Sequence, residues 1–177
     1  MRIVQLDIDP EKMAMVEAIS LVNDPAIEVN FLAFHKAAKT SRTKYELATV
    51  LEDRRLVIGP AMIPNKLIYR NDEAGEYHIY FSKGTVRKAA YEYLKANRQH
   101  MATVEHEVSV NGVTLVESWI VEGPFDKARH LGYEVPVGTW MAAMRIENDE
   151  VWSLVKDGAL KGFSIEGWFT QALTTSK

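Results

Sequence analysis

The chain contains no cysteine. That excludes disulfides, CxxC redox chemistry, cysteine-ligated zinc and a thiol nucleophile. Positive charge is not in excess either: 21 Lys and Arg against 24 Asp and Glu leave a net charge of −3. Nonspecific nucleic-acid binding depends on a strongly basic surface, so no specific nucleic-acid partner is expected. No apolar run approaches the roughly 20 residues of a membrane-spanning helix, and no membrane partner is expected. Residues 1–10 alternate Ile3, Val4, Leu6 and Ile8 with Asp7 and Asp9. A signal peptide has a basic start and a continuous apolar stretch, so this segment reads as a strand. Internal repeats are also missing.

What is present is the balance of an ordinary globular protein: 177 residues, 47% hydrophobic and 25% charged. The length suits one domain, or one domain with an arm. Residues 1–55 read as a strand, a turn at Asn23-Asp24-Pro25, a second apolar segment and a polar connector. The connector, 36–55, is expected to be partly helical near Tyr45–Leu51. Residues 56–177 read as the core. Leu56 to Ile63 predicts a strand broken by Gly59-Pro60, and 67–81 predicts a hairpin. Val86, Ala89, Ala90, Tyr93 and Leu94 lie on one helical face, with Ser82 or Thr85 as cap. Thr103–Val110 alternates strictly, and Asn111-Gly112 predicts a tight hairpin into a strand at 113–121. Residues 124–137 read as a loop and 139–146 as a strand. A short helix follows, capped by Asn148 or Asp149, before a last strand over 160–169. Many short strands and two short helices predict a mainly β fold: an antiparallel β-barrel of short strands with surrounding helices.

Three positions break their own pattern. His106 shares a strand face with Val104, Val108 and Val110 in this reading. A core histidine is the plain interpretation; a desolvated general base is the sharper one. Ser164 lies in Gly162-Phe163-Ser164-Ile165-Glu166-Gly167, where flanking glycines would let a substrate backbone approach closely. The spacing is one residue too long for the G-x-S-x-G elbow. Glu117 sits in an apolar row with Val113, Leu115, Trp119 and Val121. A two-residue turn at Asn111-Gly112 would set it opposite His106, with β-carbons roughly 4.5–5.5 Å apart. Serine, histidine and carboxylate make a nucleophile–base–orienter set.

The blocks AISLVNDPAIE (18–28), VIGPAMIPNKLIYR (57–70), EYHIYFSKGTV (76–86), VESWIVE (116–122) and GTWMAAMRIENDEVWSLVKDGALKGFSIEG (138–167) resemble the XkdF-type phage prohead proteases. These are similar to capsid maturation serine proteases and to herpesvirus assemblin. The resemblance implies a β-barrel and a serine endopeptidase with Ser164 as nucleophile and His106 as base. In assemblin the third member is a histidine after the serine. None follows Ser164 here, so the third role falls to Glu117, to Glu166 or to a water. Implied substrates and partners are the phage major capsid protein, the scaffold protein and the protease itself, inside the procapsid in the host cytoplasm. Self-association stays open, and no metal or organic cofactor is implied. Such chains often run on into a scaffold-like tail. This one stops soon after the nucleophile strand, as a truncated, self-processed or shorter version.

Competing readings remain. A catalytically silent capsid-assembly module with the same fold would use Trp119, Trp140, Trp152 and Trp168 for contacts. A metal enzyme would draw on His78, His100, His106 and His130, but His106-Glu107 lacks the second histidine of HExxH. Ser20 and Ser118 are rival nucleophiles.

Overall fold

The computed structural model describes residues 2–34, 54–73 and 75–172. The expected helical turn at Tyr45–Leu51 and most of the connector lie outside the described residues. The fold is mainly β, with twelve strands and three α-helices among the described residues. The strands form three four-stranded sheets. They are open sheets: the expected closed barrel is not present among the described residues.

In the first sheet, β1 (Arg2–Asp7) lies between β6 (Gly75–Phe81), to which it is parallel, and β12 (Thr170–Gln171). β5 (Ile68–Asp72) completes it as the expected hairpin with β6. The second sheet runs β3 (Leu32–Phe34), β4 (Leu56–Met62), β10 (Trp140–Ile146), β9 (Val113–Ile120). The third runs β11 (Gly162–Gly167), β2 (Val16–Val22), β7 (Ala102–Val104), β8 (Val108–Val110). Residues 2–34 thus give one strand to each sheet.

β10 anchors the core. Trp140, Met141, Ala142, Ala143 and Met144 are all fully buried, because sheet neighbours cover both edges and side chains cover both faces. Small alanines beside large Trp and Met let the layers interlock. β4 is not broken at Gly59-Pro60. It passes through with an irregularity opposite Trp140 and Met141, and Gly59 is required because an added Cβ would lie 2.8 Å from Phe31 Cβ.

Helix α1 (Lys83–Lys95) starts where Ser82 Oγ accepts the Thr85 N–H. It buries Val86, Ala89, Ala90 and Tyr93, and the Tyr93 ring meets Trp140 at 5.6 Å between centroids. The 124–137 segment, read as loop, contains a single helical turn, α2 (Lys127–His130), capped by Asp126. α3 (Asp149–Lys156) has Asn148 as its cap and turns off at Gly158, whose φ is +73°.

The largest correction concerns 103–121. Thr103–Val110 is not one strand. It reverses at 105–107, where Glu105 and His106 have φ of +52° and +61°, and β7 pairs back onto β8 with Val104 opposite Val108. β8 and β9 are not paired: β8 belongs to the third sheet and β9 to the second. The alternation could not separate the two arrangements. A three-residue reversal puts Val104 and Val108 on the same face, and so does an uninterrupted strand. Asn111-Gly112 carries the chain from one sheet to the other, and Gly112 O receives the Glu147 N–H at 2.6 Å.

Candidate active site

The third sheet carries a polar row on one face. Ser164 on β11 lies opposite Ser20 on β2, Ser20 beside Thr103 on β7, and Thr103 opposite Ser109 on β8. Rows above and below are apolar: Phe163, Leu21, Val104 and Val108 on one side, Ile165, Ile19, Ala102 and Val110 on the other. Glu166, two residues after Ser164, returns to the polar face.

The reversal at 105–107 folds over this row. The Glu105 N–H donates to Leu21 O at 3.0 Å, and the Glu105 carboxylate accepts the Asn23 N–H at 2.6 Å. The His106 N–H donates to Ser20 Oγ at 3.0 Å. Ser20 is fully buried, and its hydroxyl satisfies a backbone donor of the reversal. Two consecutive non-glycine residues in the left-handed region are costly. These three bonds to β2 and the segment after it hold them there.

The His106 ring then meets Glu166. Nδ1 lies 3.1 Å from Glu166 Oε1, with the side chains 44% and 27% exposed. Thr103 Oγ1 donates to the same oxygen, fixing the carboxylate from the other side. In a neutral imidazole, a proton on Nδ1 would face this carboxylate and leave Nε2 with its lone pair. The Ser164 hydroxyl has no hydrogen-bond partner among the described residues.

Glu117 is elsewhere. It lies on β9, opposite Ala143 of β10, and pairs with Lys127, whose ammonium also sits 5.0 Å from the Trp119 ring centre. The expected His106–Glu117 pairing depended on a hairpin that does not form. Ser118, on the same strand, accepts the Trp140 indole N–H at 2.9 Å. Ser20 meets His106 through the backbone and is buried, an anchor rather than a nucleophile. The glycines around Ser164 also differ from expectation. It is the chain itself that approaches: a Cβ on Gly167 would run into the Met15 carbonyl, and one on Gly162 would sit 2.6 Å from the Pro25 ring at Cγ.

The remaining candidates are dispersed. His100 Nδ1 contacts Thr114, His130 Nδ1 contacts Asp126 O, and the His78 ring packs edge-on to Tyr69. No three His, Asp or Glu side chains among the described residues cluster as metal ligands. Trp140 and Trp152 are buried in the core, while Trp168 is 71% exposed. Sequence reasoning missed Thr103 and the anchoring part of Ser20. Their signal is a parallel pairing of β2 with β7, which local pattern does not encode.

With this geometry in place, known proteins can be compared. The chain is 25% identical over 121 residues to the uncharacterized protein YqbD of Bacillus subtilis (strain 168), covering 68% of this chain and 34% of that protein. The chain therefore spans about a third of the length of the curated relative it matches. No solved structure matches it. A family model, described as "Putative phage serine protease XkdF", matches residues 46–172. That span holds His106, Ser164 and Glu166 and begins after β2. Because it takes in well over half of the sequence, the chain belongs to this family of phage serine proteases.

Proposed function

We propose that the protein is a serine endopeptidase of phage capsid maturation. In this reading Ser164 is the nucleophile, His106 the general base and Glu166 the carboxylate that orients it. The observation that carries the proposal is the His106–Glu166 contact of 3.1 Å on the sheet face that Glu166 shares with Ser164. It supplies an oriented imidazole on the sheet face that also carries Ser164, a serine without a partner among the described residues, which supports a reading as acyl transfer.

The steps follow. Nε2 of His106 takes the proton from Ser164 Oγ as that oxygen attacks a peptide carbonyl. The imidazolium formed is stabilised by Glu166 through Nδ1–H. His106 then hands the proton to the leaving amine, giving an acyl-enzyme and a new N-terminus. Water attacks the ester with His106 again as base, releasing the carboxylic acid and restoring Ser164. Substrates are the scaffold protein, the scaffolding arm of the major capsid protein and the protease's own chain, cut inside the procapsid.

The test incubates the protein with the capsid and scaffold proteins of its phage, beside Ser164→Ala and His106→Ala. Wild type is expected to cleave, and each variant to lose about 10³-fold or more of the rate. Cleavage that survives in Ser164→Ala sinks the nucleophile assignment. If wild type cleaves neither in free solution nor within assembled shells, the chain is a silent assembly module.

A further inference from the structure

Each described sheet is open, so a strand stands at either edge of it: β12 and β5, β3 and β9, β11 and β8. An edge offers its N–H and C=O groups to any extended chain, and most folds blunt it. Most edges are blunted here. β12, β3 and β8 hold only two or three residues. β9 carries a bulge at Val116, and its Leu115 N–H is taken by Gln99 O at 2.8 Å. β11 is flanked by the 25–31 segment, where Pro25 lies against Gly162 and the Phe31 N–H donates to Lys161 O. β5 differs. It holds five residues, and among the described residues no backbone bond from another segment reaches its outer side.

The hairpin fixes which groups point outward. Only residues 73 and 74 separate Asp72 from its partner Gly75. These two therefore form a hydrogen-bonded pair, and bonded and non-bonded pairs alternate from there. Arg70 and Ile68 bond to β6, while Tyr69 and Asn71 turn their N–H and C=O away from it. Arg70 Nη1 donates to that outward Tyr69 carbonyl at 2.9 Å, where a neighbouring strand would otherwise donate. Residues 69–72 are all exposed.

The side chains select the occupant. A two-fold axis at Asn71 sets Arg70 opposite Asp72 of a second copy, and Asp72 opposite that copy's Arg70. Both pairs fall at non-hydrogen-bonded positions, where Cα atoms are about 4.5 Å apart and side chains are closest. Asp72 already holds Arg2 at 3.1 Å, and a carboxylate can accept from more than one guanidinium. An axis at Arg70 instead would set the two arginines against each other, which is destabilising.

We propose that β5 is a self-association edge: two copies pair it antiparallel about Asn71, merging their first sheets into one. The Asn71 N–H of each copy donates to the other's Asn71 carbonyl, and Arg70 leaves the Tyr69 carbonyl for the second copy's Asp72. So short a pairing makes a weak dimer that forms as concentration rises. The proposal does not depend on the protease reading.

Sedimentation equilibrium of the full chain, from micromolar to millimolar, tests it. Wild type is expected to pass from monomer to dimer. Arg70→Asp and Asp72→Arg, both at exposed positions, each set like charges opposite and should weaken association at least about tenfold. Mixed in equal amounts, the two variants regain opposite charges at both pairs and should associate, a recovery that misfolding does not produce. Register is read by cross-linking, since the chain has no cysteine of its own. Asn71→Cys should link into a dimer with a short bis-maleimide, and Ser153→Cys, exposed on α3, should not. Wild type that stays monomeric throughout overturns the proposal, even if an extended segment of another protein binds the edge. So does a mixture that associates no better than its components, or an Asn71→Cys chain that links no faster than Ser153→Cys.

Discussion

At the scale of residues, the site depends on a few bonds that can be removed singly. Ser20→Ala strips the His106 N–H of its acceptor. It should cost about 1–3 kcal/mol of stability, and turnover should fall as the strained reversal relaxes. Thermal unfolding and capsid-cleavage kinetics read the two effects separately. Glu166→Gln keeps an acceptor for Thr103 but removes the charge that holds Nδ1 protonated. Turnover should drop by about 10²–10⁴, with little change in unfolding temperature. A third residue bears on pH. Asp126 is partly buried, which raises its carboxyl. The N–H groups of Ala128, Trp119 and Glu122 and the charge of Arg129 outweigh that and hold it below the usual range. A carboxylate depressed by folding stabilises fully above its unfolded value of about 3.9. That contribution fades as pH drops through the folded value. The gap in unfolding temperature between wild type and Asp126→Asn should therefore narrow below about pH 4. Of these residues, Ser164 and His106 stood out in the sequence as breaks in an alternating pattern, although the strand read around His106 is in fact a reversal. Glu166 as the partner of His106 was open only as an alternative, since 60 residues separate them and no local signal spans that distance.

At the scale of elements, most segments announced themselves. Ser82 or Thr85 and Asn148 or Asp149 marked helix starts, and 139–146 marked a strand; that it is buried on both faces came from the structure. The 103–121 region did not. Alternation is blind to an odd-length reversal, and a hairpin signal such as Asn111-Gly112 says that the chain turns, not which strand will be its partner. The flanking glycines of β11 also needed the structure, because what comes close to them, Met15 and Pro25, belongs to a part of the chain far away in sequence. Gly167→Ala should destabilise by about 1–3 kcal/mol or more, since a backbone carbonyl cannot swing aside as a side chain can. Gly123→Ala, with nothing within 4 Å of the added Cβ, should stay within about 0.5 kcal/mol of wild type. Urea unfolding of both variants checks the contrast.

At the scale of the whole molecule, a mainly β architecture was legible and its closure was not. Composition and strand spacing do not say whether twelve short strands close on themselves or end in three open sheets. The answer lies in pairings such as β1 with β6 and β2 with β7, both parallel and both joining distant parts of the chain. Since β1, β2 and β3 each serve a different sheet, a fragment of residues 56–177 should show no cooperative thermal transition. Recovery of that transition on adding a peptide of residues 1–34 would assign the defect to the missing strands.

The same interleaving has a consequence in time. Ser20 must wait 86 residues for His106, and His106 another 60 for Glu166. A chain emerging from the ribosome cannot assemble the candidate triad until residue 167 has left the exit tunnel and β11 has docked on β2. Pairings this distant are slow to form. Under the proposed function, the protease would thus be harmless throughout its own synthesis, with no separate inhibitor needed for that interval.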